Sequence, residues 1–124
     1  MKFLHVRIKV RDLEHSIAFY TAHLGCRESG RKTSLRGSQL AFLHLPDSST
    51  ELELAHVPWE PDFDLGEDIF HLAFEVVDMP GTVERMRKAG VAITEEPVRT
   101  SSGSWMAFIA DPDGYEIELL EHAH

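Results

Sequence analysis

Two stretches of this chain, HVRIKVRDLEHSIAFYTAHLG (residues 5–25) and HLAFEVVDMPGTVERMRKAG (residues 71–90), are built to one plan. Each opens on His and alternates apolar and polar residues as far as Val10 or Val76. Each then places Asp12 or Asp78 ahead of a helical stretch that ends at Gly25 or Gly90. Asp suits a helix N-cap because its carboxylate accepts from the unpaired amides of the first turn, and Gly suits the left-handed position after a helix end. Leu13, Ile17, Tyr20 and Leu24 share one helical face, as do Met79, Val83 and Met86. The agreement continues downstream: AFLHLPD (41–47) parallels AFIADPD (107–113), and ELEL (51–54) parallels EIEL (116–119). His5 and His71 are 66 residues apart, and Glu53 and Glu118 are 65 apart, so the register slips by one residue over the whole module.

The chain therefore reads as a duplicated strand–helix–strand–strand–strand module, an α+β architecture. The spacing predicts elements over 3–10, 12–24, 26–33, 39–45 and 50–56, then 70–77, 79–89, 91–95, 104–110 and 115–121. The first module spans residues 1–56 and the second 70–124, joined within one structural domain by the Pro- and Gly-bearing linker 57–69. A repeat of this length is a structural module, not a solenoid unit.

Composition narrows the class. A chain of 124 residues with 43% hydrophobic content can build a real core. A net charge of −9 argues against nucleic acid, whose binding depends on neutralising phosphates with Lys and Arg. No apolar run approaches the roughly 20 residues of a membrane span, and the N-terminus MKFLHVRIKV lacks the apolar region of a secretory signal. Cys26 is the single cysteine, which excludes an internal disulfide. The expectation is a cytoplasmic protein bound neither to membrane nor to nucleic acid. Of the 8 His residues, His15, His23, His122 and His124 read as surface residues.

Strand parity then gathers chemistry on one side. Successive strand residues face opposite sides of a sheet. Val6, Ile8 and Val10 share the helix side of the first strand, as do Leu72, Phe74 and Val76 in its counterpart, with Leu52, Leu54, Ile117 and Leu119 in the last strands. The opposite face collects His5, Arg7, Lys9, Glu51, Glu53, His71, Glu75, Glu116 and Glu118. The ordinary explanation of charge on an alternating strand is a solvated face. Two imidazoles with two carboxylates are also a good donor set for Zn, Ni, Co, Mn or Fe, and an octahedral ion would keep two positions for water or substrate. Glu51 and Glu116 read as solvated neighbours of the other two glutamates.

The residues from His5 through RDLEHSIAFYTAHLG, the LEL at 52–54, HLAFEV from His71 and ADPDGYEIELLE from Ala110 resemble the vicinal oxygen chelate superfamily, and within it the bacterial glyoxalase I branch. The resemblance covers nearly the whole chain. It implies that the paired βαβββ modules form a cupped mixed sheet around a metal site, with helices outside. It implies the ligand set His5, Glu53, His71 and Glu118, with Ni or Co favoured by His at the first position and Zn also open. The implied reaction converts the hemithioacetal of a thiol, glutathione among the candidates, and a 2-oxoaldehyde such as methylglyoxal into a 2-hydroxyacyl thioester. Glu118 is then the proton-transferring carboxylate, with Glu53 in that role if substrate binds in the opposite sense. It also implies a homodimer with sites at the interface and ligands from both chains, while the sequence leaves open whether modules pair within or between subunits.

The match is weaker at the expected co-substrate carboxylate site. Lys9 stands where an Arg is expected, keeping the charge without the bidentate fork. Val57 stands where an Asn is expected. Arg7 is a second candidate on the right face, and Arg99 reads as a surface charge. The segment 99–105 reads as a lid or as a polar loop. Competing classes are an extradiol-type dioxygenase, an epimerase, a fosfomycin-modifying relative and an antibiotic-sequestering dimer. Glu53 counts against the first three, and the complete ligand set counts against the last.

Overall fold

The computed structural model describes residues 1–123; His124, expected at the surface, lies outside them. The chain divides into two compact units, Met1–Asp64 and the remainder from Leu65, with the division inside the 57–69 stretch. The first unit runs β1 (His5–Lys9), α1 (Leu13–His23), β2 (Arg27–Thr33), β3 (Gln39–His44) and β4 (Glu51–His56). The second runs β5 (Leu72–Glu75), α2 (Met79–Lys88), β6 (Ala92–Arg99), β7 (Trp105–Ala110) and β8 (Glu116–Glu121). The sheets are ordered β1-β4-β3-β2 and β5-β8-β7-β6. In each, the first strand crosses over to pair parallel with the last, and the other pairings are antiparallel. This is the expected α+β βαβββ module, twice.

The helix side of each sheet carries the core. Ile8, Val10, Leu54 and Leu43 are buried around Tyr20 in the first unit, and Ile109, Ile117 and Leu119 around Met79, Val83 and Met86 in the second. α1 packs on β2, β3 and β4, and α2 on β6 and β8. Leu72 and Phe74 are only half-buried. Cys26 is 5% exposed, and burial pushes its thiol up to about 11, which keeps it protonated at neutral pH.

Both helices begin and end as the sequence dictates. The Asp12 carboxylate accepts from the His15 amide at 3.0 Å, and that of Asp78 from the Gly81 amide at 3.2 Å. Glu121 adds a second carboxylate to the start of α2, accepting from the Met79 amide at 2.8 Å. Gly25 and Gly90 follow the helices at φ of +70° and +86°.

β6 departs from expectation. Predicted over 91–95, it extends to Arg99 through Pro97. It lies at the sheet edge, where a missing N–H costs no ladder bond. Its register with β7 shifts between Ile93 and Glu95 and again between Glu95 and Val98, so the pairing passes over Pro97. Residues 100–104 close the β6–β7 hairpin with Thr100 N to Ser104 O at 2.8 Å and Gly103 N to Thr100 O at 3.0 Å. That segment is therefore a tight hydrogen-bonded polar turn. β1 and β5 are shorter than the predicted 3–10 and 70–77; Phe3 and Leu4 precede the pairing and are exposed.

Residues beyond β4 fold back on the end of β1. Lys9 Nζ lies 3.0 Å from Glu60 and 5.2 Å from the centre of the Phe63 ring. The Arg11 guanidinium stacks 4.2 Å from the same ring, pairs with Asp62 at 2.5 Å and donates to the Phe63 carbonyl. The Arg11 hydrogen bond, aided by the Phe63 amide, holds the Asp62 carboxyl below the usual carboxylate range.

Unfolding in urea tests these features at three positions. No atom lies within 4 Å of a Cβ built at Gly90, so Gly90→Ala tests backbone conformation alone and costs about 1–2 kcal/mol. Gly30→Ala, with equal space and an ordinary φ, leaves the midpoint nearly unchanged or raises it. Phe63→Ala removes the ring that two cations share and costs about 1–2 kcal/mol, while Phe63→Trp retains most of it.

Candidate metal centre

The parallel pairing of first and last strands builds the site. In the first unit His5 is in register with Glu51, and Arg7 with Glu53. His5 reaches diagonally along the shared face, so its Nε2 stands 3.8 Å from Glu53 Oε2. In the second, His71 immediately precedes β5 and Ala73 is in register with Glu118. His71 Nε2 stands 3.1 Å from Glu118 Oε1. Each unit thus sets one imidazole beside one carboxylate by the same diagonal step.

A third residue completes each arrangement. Phe42 is in register with Glu53 and meets the His5 ring edge-on at 6.2 Å. Phe108 is in register with Glu118 and meets the His71 ring edge-on at 5.4 Å. The apolar ring limits where the imidazole can turn. AFLH and AFIA align in the repeat, and the equivalence of their two Phe residues is the sequence signal for this role.

These pairs suit a divalent ion. Two donors each about 2.1 Å from one ion stand roughly 3 Å apart when their bonds are near perpendicular. The His71–Glu118 separation meets that directly, and the His5–Glu53 separation is somewhat wider. Imidazole nitrogen with carboxylate oxygen is the donor chemistry of first-row transition ions. Within neither unit does a third His, Cys, Asp or Glu among the described residues join these pairs into a metal-holding group. The chain offers its donors two by two.

The two carboxylates differ in setting. The Glu53 side chain is 3% exposed and accepts a hydrogen bond from Arg7 Nε, on the same oxygen that His5 approaches. The Glu118 side chain is 17% exposed, with Ala73 in the position equivalent to Arg7. Of the other candidates, Lys9 lies beside Glu60 and Phe63, and the Arg99 guanidinium stacks 4.9 Å from the Trp105 ring centre. Val57 is half-buried just past β4. Glu51 accepts from Ser29 Oγ at 2.6 Å, so it is a bonded neighbour as well as a solvated one, and Glu116 is exposed. His15 and His122 are exposed as expected. His23 is instead half-buried, because its ring packs edge-on against Phe19 at 5.2 Å.

Known proteins share this arrangement of sequence and fold. The family model described as Glyoxalase/Bleomycin resistance protein/Dioxygenase superfamily matches residues 2–119. The lactoylglutathione lyase of Neisseria meningitidis is 37% identical over 126 residues, covering 98% of this chain and 91% of that protein. That of Haemophilus influenzae is 38% identical over 133 residues, covering 98% and 93%. The solved structure of Leishmania major glyoxalase I, described as trypanothione-dependent, superimposes with a TM-score of 0.82 at 36% identity, covering 98% of this chain and 86% of that one. With its two βαβββ modules, its repeated His–Glu pairs and a family match over nearly its whole length, the chain belongs to the glyoxalase/bleomycin resistance protein/dioxygenase superfamily.

Proposed function

We propose that this protein is a metal-dependent lyase of the glyoxalase I type, isomerising a 2-oxoaldehyde–thiol hemithioacetal to a 2-hydroxyacyl thioester. The observation that carries this reading is the repeated pair: His5 beside Glu53 and His71 beside Glu118, in a chain 37–38% identical to lactoylglutathione lyases. His5, Glu53, His71 and Glu118 would hold one divalent ion at the interface of a homodimer, with ligands from both chains, nickel or cobalt favoured and zinc open. When bound, the ion polarises the adjacent oxygens of the substrate and acidifies the C–H between them.

The proton work belongs to the chain. Glu118 takes the proton from the hemithioacetal carbon, and the proton returns at the neighbouring carbonyl carbon. The first carbon becomes the thioester carbonyl and the second bears the new hydroxyl, so the isomerisation balances without an external oxidant. Glu118 suits the task because its oxygen lies at hydrogen-bond distance from His71, and it is the more accessible of the two carboxylates. Glu53 takes that role for substrate bound in the opposite sense.

Lys9 and Arg7 supply the cations for a carboxylate on the thiol, which would exchange with Glu60 at Lys9. Glutathione is the thiol suggested by the relatives' names, and the Leishmania enzyme is described as trypanothione-dependent, so the thiol varies within the family. No helix among the described residues is long and apolar enough to cross a membrane. A cytoplasmic location is consistent with the single buried, protonated thiol of Cys26.

The test is metal binding and turnover together. Wild-type protein loaded with nickel, cobalt or zinc binds in fixed stoichiometry and isomerises the hemithioacetal of methylglyoxal and glutathione. His71→Ala lowers metal affinity. Glu118→Gln lowers kcat by about 10²–10⁴-fold. A wild-type protein that binds none of the three ions in dialysis would overturn the assignment.

A further inference from the structure

The two His–Glu pairs follow one plan, and one difference between them lies directly beside the glutamate. Position 7 in the first module and position 73 in the second are each the register partner of the glutamate, and they carry Arg and Ala. The Arg7 Nε hydrogen bond falls on Glu53 Oε2, the oxygen facing His5 Nε2 at 3.8 Å. A carboxylate that is 3% exposed needs a counter-charge, since its own solvation is gone. Arg7 supplies that charge from within the same sheet face, and its own side chain is 51% exposed, so it has room to swing outward.

We infer that Arg7 is an internal counter-cation for Glu53 that competes with the divalent ion for the same carboxylate oxygen. This inference rests on the metal-site reading above. A guanidinium and a dication on one oxygen repel each other, so loading the ion requires Arg7 to withdraw. The His71–Glu118 pair has no such competitor at position 73. It is the half-site that accepts the ion first, and the His5–Glu53 pair joins as Arg7 leaves. Arg7 thus sets metal affinity by positioning Glu53 in the unloaded protein, without being a ligand.

The experiment uses the full chain, freed of metal by chelation and titrated with Ni²⁺ alone. Affinity is read by competition with a chromophoric chelator, and thermal midpoint is read with and without the ion. Arg7→Met keeps side-chain length and removes the charge. Its unloaded form melts below wild type, its Ni²⁺ affinity rises at least about tenfold, and its metal-induced gain in Tm exceeds that of wild type. Arg7→Lys falls between the two, because the charge remains without the fork. Ala73→Arg, which installs the competitor in the second module, weakens Ni²⁺ binding; it and Arg7→Lys carry the test if Arg7→Met does not fold. A purely structural Arg7 would lower the unloaded Tm and leave affinity unchanged. Equal or weaker Ni²⁺ binding by Arg7→Met than by wild type overturns the inference and leaves the metal reading standing. Absence of binding in both overturns the two together, whereas binding by Arg7→Met alone supports the competition in its strongest form.

Discussion

The parallel pairing of each module's first strand with its last is the interaction on which the rest depends. It brings the start of one strand beside the middle of another that lies far along the chain, with side chains in register on a common face. A His at the start of the first strand then meets a Glu two register positions further along the last. An antiparallel pairing of the same strands would run the two positions in opposite directions and separate them. The helix between makes the crossover possible, and its apolar face covers the other side of the sheet. Core and chemistry are therefore divided by strand parity, one residue at a time.

The chemical face is not simply wet. Glu53 and Ala55 are as buried as the leucines that alternate with them in β4. Burial raises the cost of a carboxylate without a partner, and it also strengthens any cation contact that satisfies it. The fold meets this demand with Arg7 in one module. In the other it leaves Glu118 more exposed, beside His71. An apolar ring in register with each carboxylate, Phe42 or Phe108, backs the imidazole from the side.

Much of this was legible in the sequence because the controlling rules are local and periodic. Alternation assigned the faces of β1, β4, β5 and β8, and Asp followed by a helical stretch and Gly fixed both helices. What the sequence did not yield depends on tertiary position. Pro97 marks an end to a strand unless the strand is known to be an edge, where the register can pass over it. His23 looked like surface until α1 brought it against Phe19 one turn away. Glu121 capping α2, and Arg7 meeting Glu53 instead of solvent, are long-range contacts with no spacing signature. The donor pairs themselves were readable as a face, but their diagonal geometry was not.

The repeat also shows where the two His–Glu pairs diverge. Identical modules would offer two carboxylates in equal settings. The outward positions of the first strand break that equality. Arg7 and Lys9 in β1 correspond to Ala73 and Glu75 in β5, so the first module carries two cations where the second carries none. Those cations have two local consequences. Arg7 restrains Glu53, and Lys9 with Arg11 draws the acidic segment at 60–62 and the Phe63 ring back onto the end of β1. The second module has Glu75 at the matching place, beside His122 at 3.4 Å. A difference of a few side chains on one face is enough to turn a repeated structural unit into one buried carboxylate held by an arginine and one more exposed carboxylate beside a histidine.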